Sequence, residues 1–239
     1  MKILITGATS GIGKQLALDY HKENNEVWAL GRNEEVLQEL ADKGLKTGKV
    51  DLSERQASLE WFSTLESLDL AILNAGTCEY IDLPEFDSAM VSRVMRANVE
   101  SMAISIEGVL PLLRKGNRPY LVGVGSSAAY LPLPRAEAYG TSKAAIAYMI
   151  KTLAITLAKE NIDVSLVCPG FVKTPLTDLN DFPMPFLITT EQASNYIRAG
   201  IDKRRPEIHF PKRFTYLMKA FTLLPRGIWK IIAQRMANA

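Results

Sequence analysis

"KILITGATSGIGKQLALDY", residues 2 to 20, passes from a short apolar run through a glycine-bearing turn into a segment of helical period. The turn holds Gly7, Gly11 and Gly13. Glycine reaches positive φ without a Cβ penalty, and it lets backbone N–H groups approach an anion at a helix N-terminus, where the dipole favours negative charge. The stretch therefore predicts a strand, a phosphate-cradling turn and a helix, which is the logic of a dinucleotide site. Its spacing is G-x-x-x-G-x-G, not the commoner G-x-G-x-x-G, so the reading rests on the strand before and the helix after.

The same alternation continues along the chain. Strand-like runs recur at 26 to 31 (EVWALG), 46 to 51 (KTGKVD), 68 to 74 (LDLAILN), 119 to 125 (PYLVGVG) and 163 to 168 (DVSLVC), and PEIHFP at 206 to 211 makes a seventh. Helical periods fill most of the gaps, the longest being AEAYGTSKAAIAYMIKTLAITLAKE at 136 to 160. Strand and helix in turn predict an α/β fold, a doubly wound parallel sheet of about seven strands with helices on both faces. No linker, repeat or low-complexity tract interrupts it before about residue 203. A single domain over 1–210 is expected, followed by an extension over 211–239.

At 239 residues and 47% hydrophobic content the chain can bury a substantial core, and 23% charged residues with a net charge of +2 argue against disorder and nucleic-acid binding. Cys78 and Cys168 lie far apart in apolar runs, which predicts free thiols in a reducing cytosol and neither a disulfide nor a metal site. The opening residues leave no room for a secretory leader, and no run is long enough to span a membrane.

"AEAYGTSKAA", residues 136 to 145, places Tyr139 and Lys143 four apart. On a helix they share a face, and a cation beside a phenol of ordinary pKa ~10 favours the phenolate, so Tyr139 is a candidate general acid/base nearer neutrality. After the second run, the place of an acid that would hold a ribose 2′-hydroxyl reads "GRN". Arg32 suits a 2′-phosphate, so NADP(H) is expected over NAD(H).

With TGATSGIG, NAG (74 to 76), Asn98, Ser126 and YGTSK in this order, the sequence resembles the short-chain dehydrogenase/reductase (SDR) family over residues 1 to about 202. The resemblance implies a Rossmann-type fold and a carbonyl–alcohol oxidoreductase. It implies a tetrad of Asn98, Ser126, Tyr139 and Lys143, the serine lying thirteen residues before the tyrosine. Tyr139 would exchange the proton and Ser126 would hold the substrate oxygen. Lys143 would lower the tyrosine pKa and grip the nicotinamide ribose, and Asn98 would hold a water. Beside the motif glycines Gly7, Gly11 and Gly13, the resemblance assigns cofactor contacts to Ser10, Ile12, Arg32, Asp51, Leu52, Asn74, Ala75, Gly76, Pro169, Gly170, Val172 and Thr174. Ser10 departs from many NADP-preferring members, which carry a basic residue there. A homodimer or homotetramer is implied, paired through the helices bearing Asn98 and Tyr139.

The competing readings are a catalytically silent NADP(H) sensor or membrane-surface scaffold, which the retained tyrosine and lysine disfavour, and a nucleotide-sugar epimerase, for which the chain is too short. The loops 128 to 138 and 175 to 190 are expected to contact a small or medium, apolar substrate, the second as a lid. From Lys203 onward nine Lys/Arg face one acid, leaving +8 there against −6 before it. Leu217, Phe221, Leu224, Ile228, Ile231 and Ile232 recur at helical spacing near Trp229, and Pro225 should divide them into two helices. Such a basic amphipathic tail suits an anionic membrane surface, or else it packs over the cleft or a partner subunit. His21 and His209 receive no role.

Overall fold

The computed structural model describes residues 1–237. Seven strands form one parallel sheet: β1 (Lys2–Thr6), β2 (Glu26–Gly31), β3 (Lys46–Lys49), β4 (Leu70–Leu73), β5 (Tyr120–Val124), β6 (Asp163–Pro169) and β7 (Glu207–Phe210). Their order is β3-β2-β1-β4-β5-β6-β7, with every neighbouring pair parallel. The helices are α1 (Gly11–Lys22), α2 (Glu34–Asp42), α3 (Arg55–Ser63), α4 (Ser88–Met95), α5 (Ser101–Leu113), α6 (Glu137–Thr156), α7 (Thr190–Asp202), α8 (Lys212–Phe221) and α9 (Arg226–Ala237).

Alternation along β1 explains the three layers. Ile3 and Ile5 pack with Leu16, Tyr20 and Ile197 on one side, while Leu4 packs with Phe62, Leu113 and Ile146 on the other. A strand buried on both faces is apolar along its buried length, as β4, β5 and the centre of β1 at residues 3–5 are. Each fully buried aliphatic side chain contributes about 1.5–3 kcal/mol, so the two cores hold the sheet between its helices. The strand order reverses between β1 and β4, and the connections leaving those two strands diverge into a crevice at their carboxyl ends.

Local chemistry sets several boundaries. Asn33 caps α2 by accepting the Val36 N–H at 3.1 Å, with Glu34 and Glu35 in the first turn where the dipole favours them. Thr189 and Gln192 form a reciprocal capping box at α7. Asn98 lies inside a π-helical turn, Arg96–Glu100, that joins α4 to α5. The long helix also stops early, at Thr156, and a 3₁₀ turn completes it.

Pro225 divides the tail as expected, but its apolar stripe does not pack as one face. Thr215, Met218 and Trp229 are the buried residues of the seam, and the Trp229 indole N–H donates to the Pro132 carbonyl at 3.0 Å. Phe221, Leu224 and Ile232 are half-buried, whereas Leu217, Ile228 and Ile231 face solvent. The seam follows β7, where Glu207 accepts from Tyr130 at 2.6 Å and from Lys219 at 3.0 Å. His209, given no role, serves this junction: its Nδ1 meets Thr215 Oγ1 at 2.7 Å, and burial with Lys219 and Lys212 nearby holds its pKa down to about 4. Residues 238 and 239 of the expected extension lie outside the described residues.

Candidate active site

The cleft begins where β1 ends. Gly7 and Gly11 hold φ of +64° and +50°, and a Cβ on Gly7 would come within 2.8 Å of the Ala75 Cα. Gly13 serves differently: its Cβ would meet the Gly7 carbonyl oxygen at 2.3 Å, so only glycine lets α1 approach the strand turn. Ser10 at the N-cap makes no side-chain capping bond, leaving the first-turn N–H groups of α1 without that partner. Asn74 closes the wall, its N–H donating to Thr6 Oγ1 at 2.9 Å and its amide to the Thr6 and Gly7 carbonyls at 3.2 and 3.3 Å.

This cleft measures about 680 Å³ and is lined by Gly7, Ser10, Gly11, Ile12, Arg32, Asp51, Leu52, Asn74, Ala75, Gly76 and Thr174 of the expected contacts. At its far end Arg32 is 78% exposed, 3.7 Å from the Asp51 carboxylate. The Ser53 hydroxyl and N–H bond that carboxyl and hold it below its usual range, with Arg32 assisting. Glycines in left-handed backbone, unclaimed helix N–H groups and an exposed arginine together fit a dinucleotide.

A second cavity, of about 110 Å³, shares Ile12, Asn74, Gly76 and Thr174 with the first. Ser126 enters it from the end of β5, and Tyr139 and Lys143 from the start of α6. Pro169, Gly170 and Val172 enter from the end of β6 and just beyond. Of the expected residues, Gly13 and Asn98 line neither cavity. Asn98 is fully buried behind the wall. Its oxygen accepts the Thr77 N–H at 2.7 Å, and its amide donates to the Thr77 carbonyl and to Ser142 Oγ, each at 2.9 Å.

Electrostatics corrects one expectation. Burial pushes the Tyr139 phenol above its ordinary range, against the downward pull of a hydrogen bond with Ser126. Lys143 does not draw it toward neutrality. Its Nζ stands 5.7 Å from the Tyr139 ring centroid and bonds the Val124 carbonyl at 3.3 Å. Desolvation instead holds the lysine itself down to about 8. At neutral pH the site therefore presents a protonated phenol beside an ammonium, the arrangement of a proton donor.

A model described as short chain dehydrogenase matches residues 1–181. The chain belongs to the short-chain dehydrogenase family. As an SDR it is an oxidoreductase with an NAD(P)-binding Rossmann fold. An uncharacterized oxidoreductase of Myxococcus xanthus is 32% identical over 243 residues, covering 98% of this chain and 96% of that one. A 3beta-hydroxysteroid dehydrogenase of Mediterraneibacter gnavus is also 32% identical, over 74% of this chain and 67% of its own. Among solved structures, the closed form of a serine dehydrogenase complexed with NADP+ superposes with a TM-score of 0.79 at 23% identity, covering 88% of this chain and 94% of that one.

Sequence reasoning overlooked several lining residues. Thr9, Asn33, Arg93 and Arg96 border the larger cleft. Thr9 packs closely on Gly31, where a Cβ would strike its Cγ2 at 2.4 Å. It also overlooked a chain of rings. Tyr80 packs on Phe182 at 5.4 Å, Phe182 on Phe171 at 6.2 Å, and Phe171 on Phe214 at 5.5 Å, joining the loop after β4, the 175–190 loop and α8. Arg135 ties the same loops, donating to Asp82 at 2.7 Å and to Asp181 at 2.6 Å. These partners are distant in sequence, so no local pattern announces them.

Proposed function

We propose that this SDR reduces a carbonyl, or oxidises the matching secondary alcohol, on a small or medium apolar molecule with NADP(H). The observation that carries the reading is the placement of Ser126, Tyr139 and Lys143 around one cavity that opens into the dinucleotide cleft. Bound in that cleft, the nicotinamide supplies or accepts the hydride. Tyr139, protonated, donates to the carbonyl oxygen, and Ser126 hydrogen-bonds the same oxygen as charge builds on it. Lys143 holds the nicotinamide ribose and adds positive charge. Asn98 acts as a positioning residue, tying the backbone after β4 to Ser142 on the catalytic helix. Gly13 takes the same kind of part for α1, and the remaining lining residues named above form the cofactor's contacts.

NADP(H) over NAD(H) rests on Arg32, exposed at the ribose end with no acid at its own position. The apolar substrate is supported by the aromatic chain from Tyr80 to Phe214 and by the relative named for a 3beta-hydroxysteroid. Two free cysteines suit a reducing cytoplasm, where we place the chain; among the described residues no helix is long and apolar enough to cross a membrane. The working form is a homodimer or homotetramer.

The test is NADPH oxidation over ketones from short to steroidal, comparing wild type with Tyr139→Phe. Loss of about 10²–10⁴-fold in kcat, with NADPH affinity retained, is expected of a general acid. Wild-type reduction should also fall as pH rises through about 8, where Lys143 loses its proton while Tyr139 keeps its own. A Tyr139→Phe enzyme of near-normal activity would remove the mechanism.

A further inference from the structure

The tail shows two unlike faces. Its inner face carries Thr215, Met218 and Trp229 against the body. Its outer face carries Leu217, Leu223, Ile228, Ile231 and Met236, all exposed, with Leu223 86% so. Arg213, Arg226, Lys230 and Arg235 lie between them, exposed as well. Glu207 is the last acidic residue of the chain, and Tyr130 and Lys219 already engage it. A face that mixes exposed aliphatics with cations and lacks acids is complementary to one class of surface, an apolar layer beneath anionic headgroups.

The same apolar surface continues toward the substrate cavity. Phe186, half exposed, packs on Phe214 of α8 at 6.3 Å, and Leu187 beside it is exposed too. Phe214 in turn contacts Phe171, whose neighbours Gly170 and Val172 line the small cavity. Rings thus run from the outer surface to the 170–172 segment that borders the small cavity.

We infer that the outer face of α8 and α9 docks this SDR on an anionic lipid surface, with the 175–190 loop turned to the bilayer so that a lipophilic carbonyl enters from it. This deepens the proposed function, on whose apolar substrate the purpose of docking rests. The docking itself depends only on the face. Each cation near an anionic surface strengthens attachment, and the aliphatic side chains bury in the headgroup boundary. Salt therefore weakens the first contribution and leaves the second.

Full-length protein with NADPH bound is sedimented with phosphatidylcholine vesicles, with and without phosphatidylglycerol. Expected are binding to the anionic vesicles, weaker binding to the neutral ones, and loss with added salt. Two variants probe the face: Ile228→Glu with Ile231→Glu, and Arg226→Glu with Lys230→Glu. Each should lower partitioning at least about tenfold, while thermal unfolding and turnover of a short water-soluble ketone stay at wild-type values. Failure of the wild type to sediment with anionic vesicles overturns the inference, as does equal sedimentation of wild type and variants. It is equally overturned if the variants change the oligomeric mass without lipid, since the face would then be a subunit contact. Vesicle binding by a protein that reduces no ketone supports the docking and removes the proposed reaction, so the two fail separately.

Discussion

At the residue scale, the clearest division is between side chains whose partners are local and those whose partners are not. Tyr139 and Lys143 were legible because helical spacing alone puts them on one face, and both reach the cavity. Their electrostatics was not, because burial is the leading cause of both shifts and is a property of the whole fold. Asn98 could be placed by resemblance, yet its bonds run to Thr77 and Ser142, 21 and 44 positions away. Arg32 falls on the legible side, since its position just after β2 fixes which end of the cleft it meets. Its guanidinium is largely exposed and only loosely paired with Asp51, so it is available to a 2′-phosphate. Arg32→Asp should therefore raise the Kd for NADPH by about 10–100-fold, the worth of ~1.5–3 kcal/mol for a charge-assisted bond, and leave NADH little changed or tighter. Fluorescence titration with the two cofactors measures this. Equal losses for both would mean that Arg32 does not read the phosphate.

At the scale of elements, strands were the easiest to read. The boundaries of β1 and β2 match the runs read from the sequence, because a strand buried on both faces needs an apolar centre, residues 3–5 in one and 27–30 in the other. The tail was harder. Period and Pro225 announce two helices, but which side of each faces the body depends on β7 and the loop near Pro132, far off in sequence. Trp229 is the residue that decides it. Its ring packs on Phe221 at 5.6 Å and its N–H reaches Pro132, so it anchors α9 to the loop that follows Ser126. Trp229→Ala should cost about 3 kcal/mol at that seam. The loss should be local, so hydrogen exchange is expected to rise through α8 and α9 while β1 and α1 keep their protection. Because the Pro132 loop borders the substrate side, KM for a long apolar ketone should rise while NADPH affinity holds. Unchanged exchange in the tail would mean that α9 does not depend on this contact.

At the scale of the whole molecule, two of the exposed apolar patches lie on helices, and the sequence alone does not separate them. One is the outer tail. The other is α6, where Ala144, Tyr148, Thr152 and Ile155 form a stripe at spacings of three and four, Tyr148 and Ile155 being 78% and 76% exposed. Tyr139 and Lys143 begin that same helix, so whatever covers the stripe also steadies the end proposed to be catalytic. A second copy is the natural cover, because a helix packed against its own symmetry mate buries the stripe twice over in a self-complementary contact. The stripe carries Lys151 at its margin but no acid, so the contact would be apolar at its centre. Tyr148→Glu with Ile155→Glu places like charges in that contact, and the expected result is dissociation. Sedimentation equilibrium should then give 26.5 kDa for the variant and at least twice that for wild type. The variant should also lose kcat as α6 loosens, while vesicle binding through the tail persists. A wild type of 26.5 kDa would leave the stripe without a second copy and remove the oligomer from the proposal.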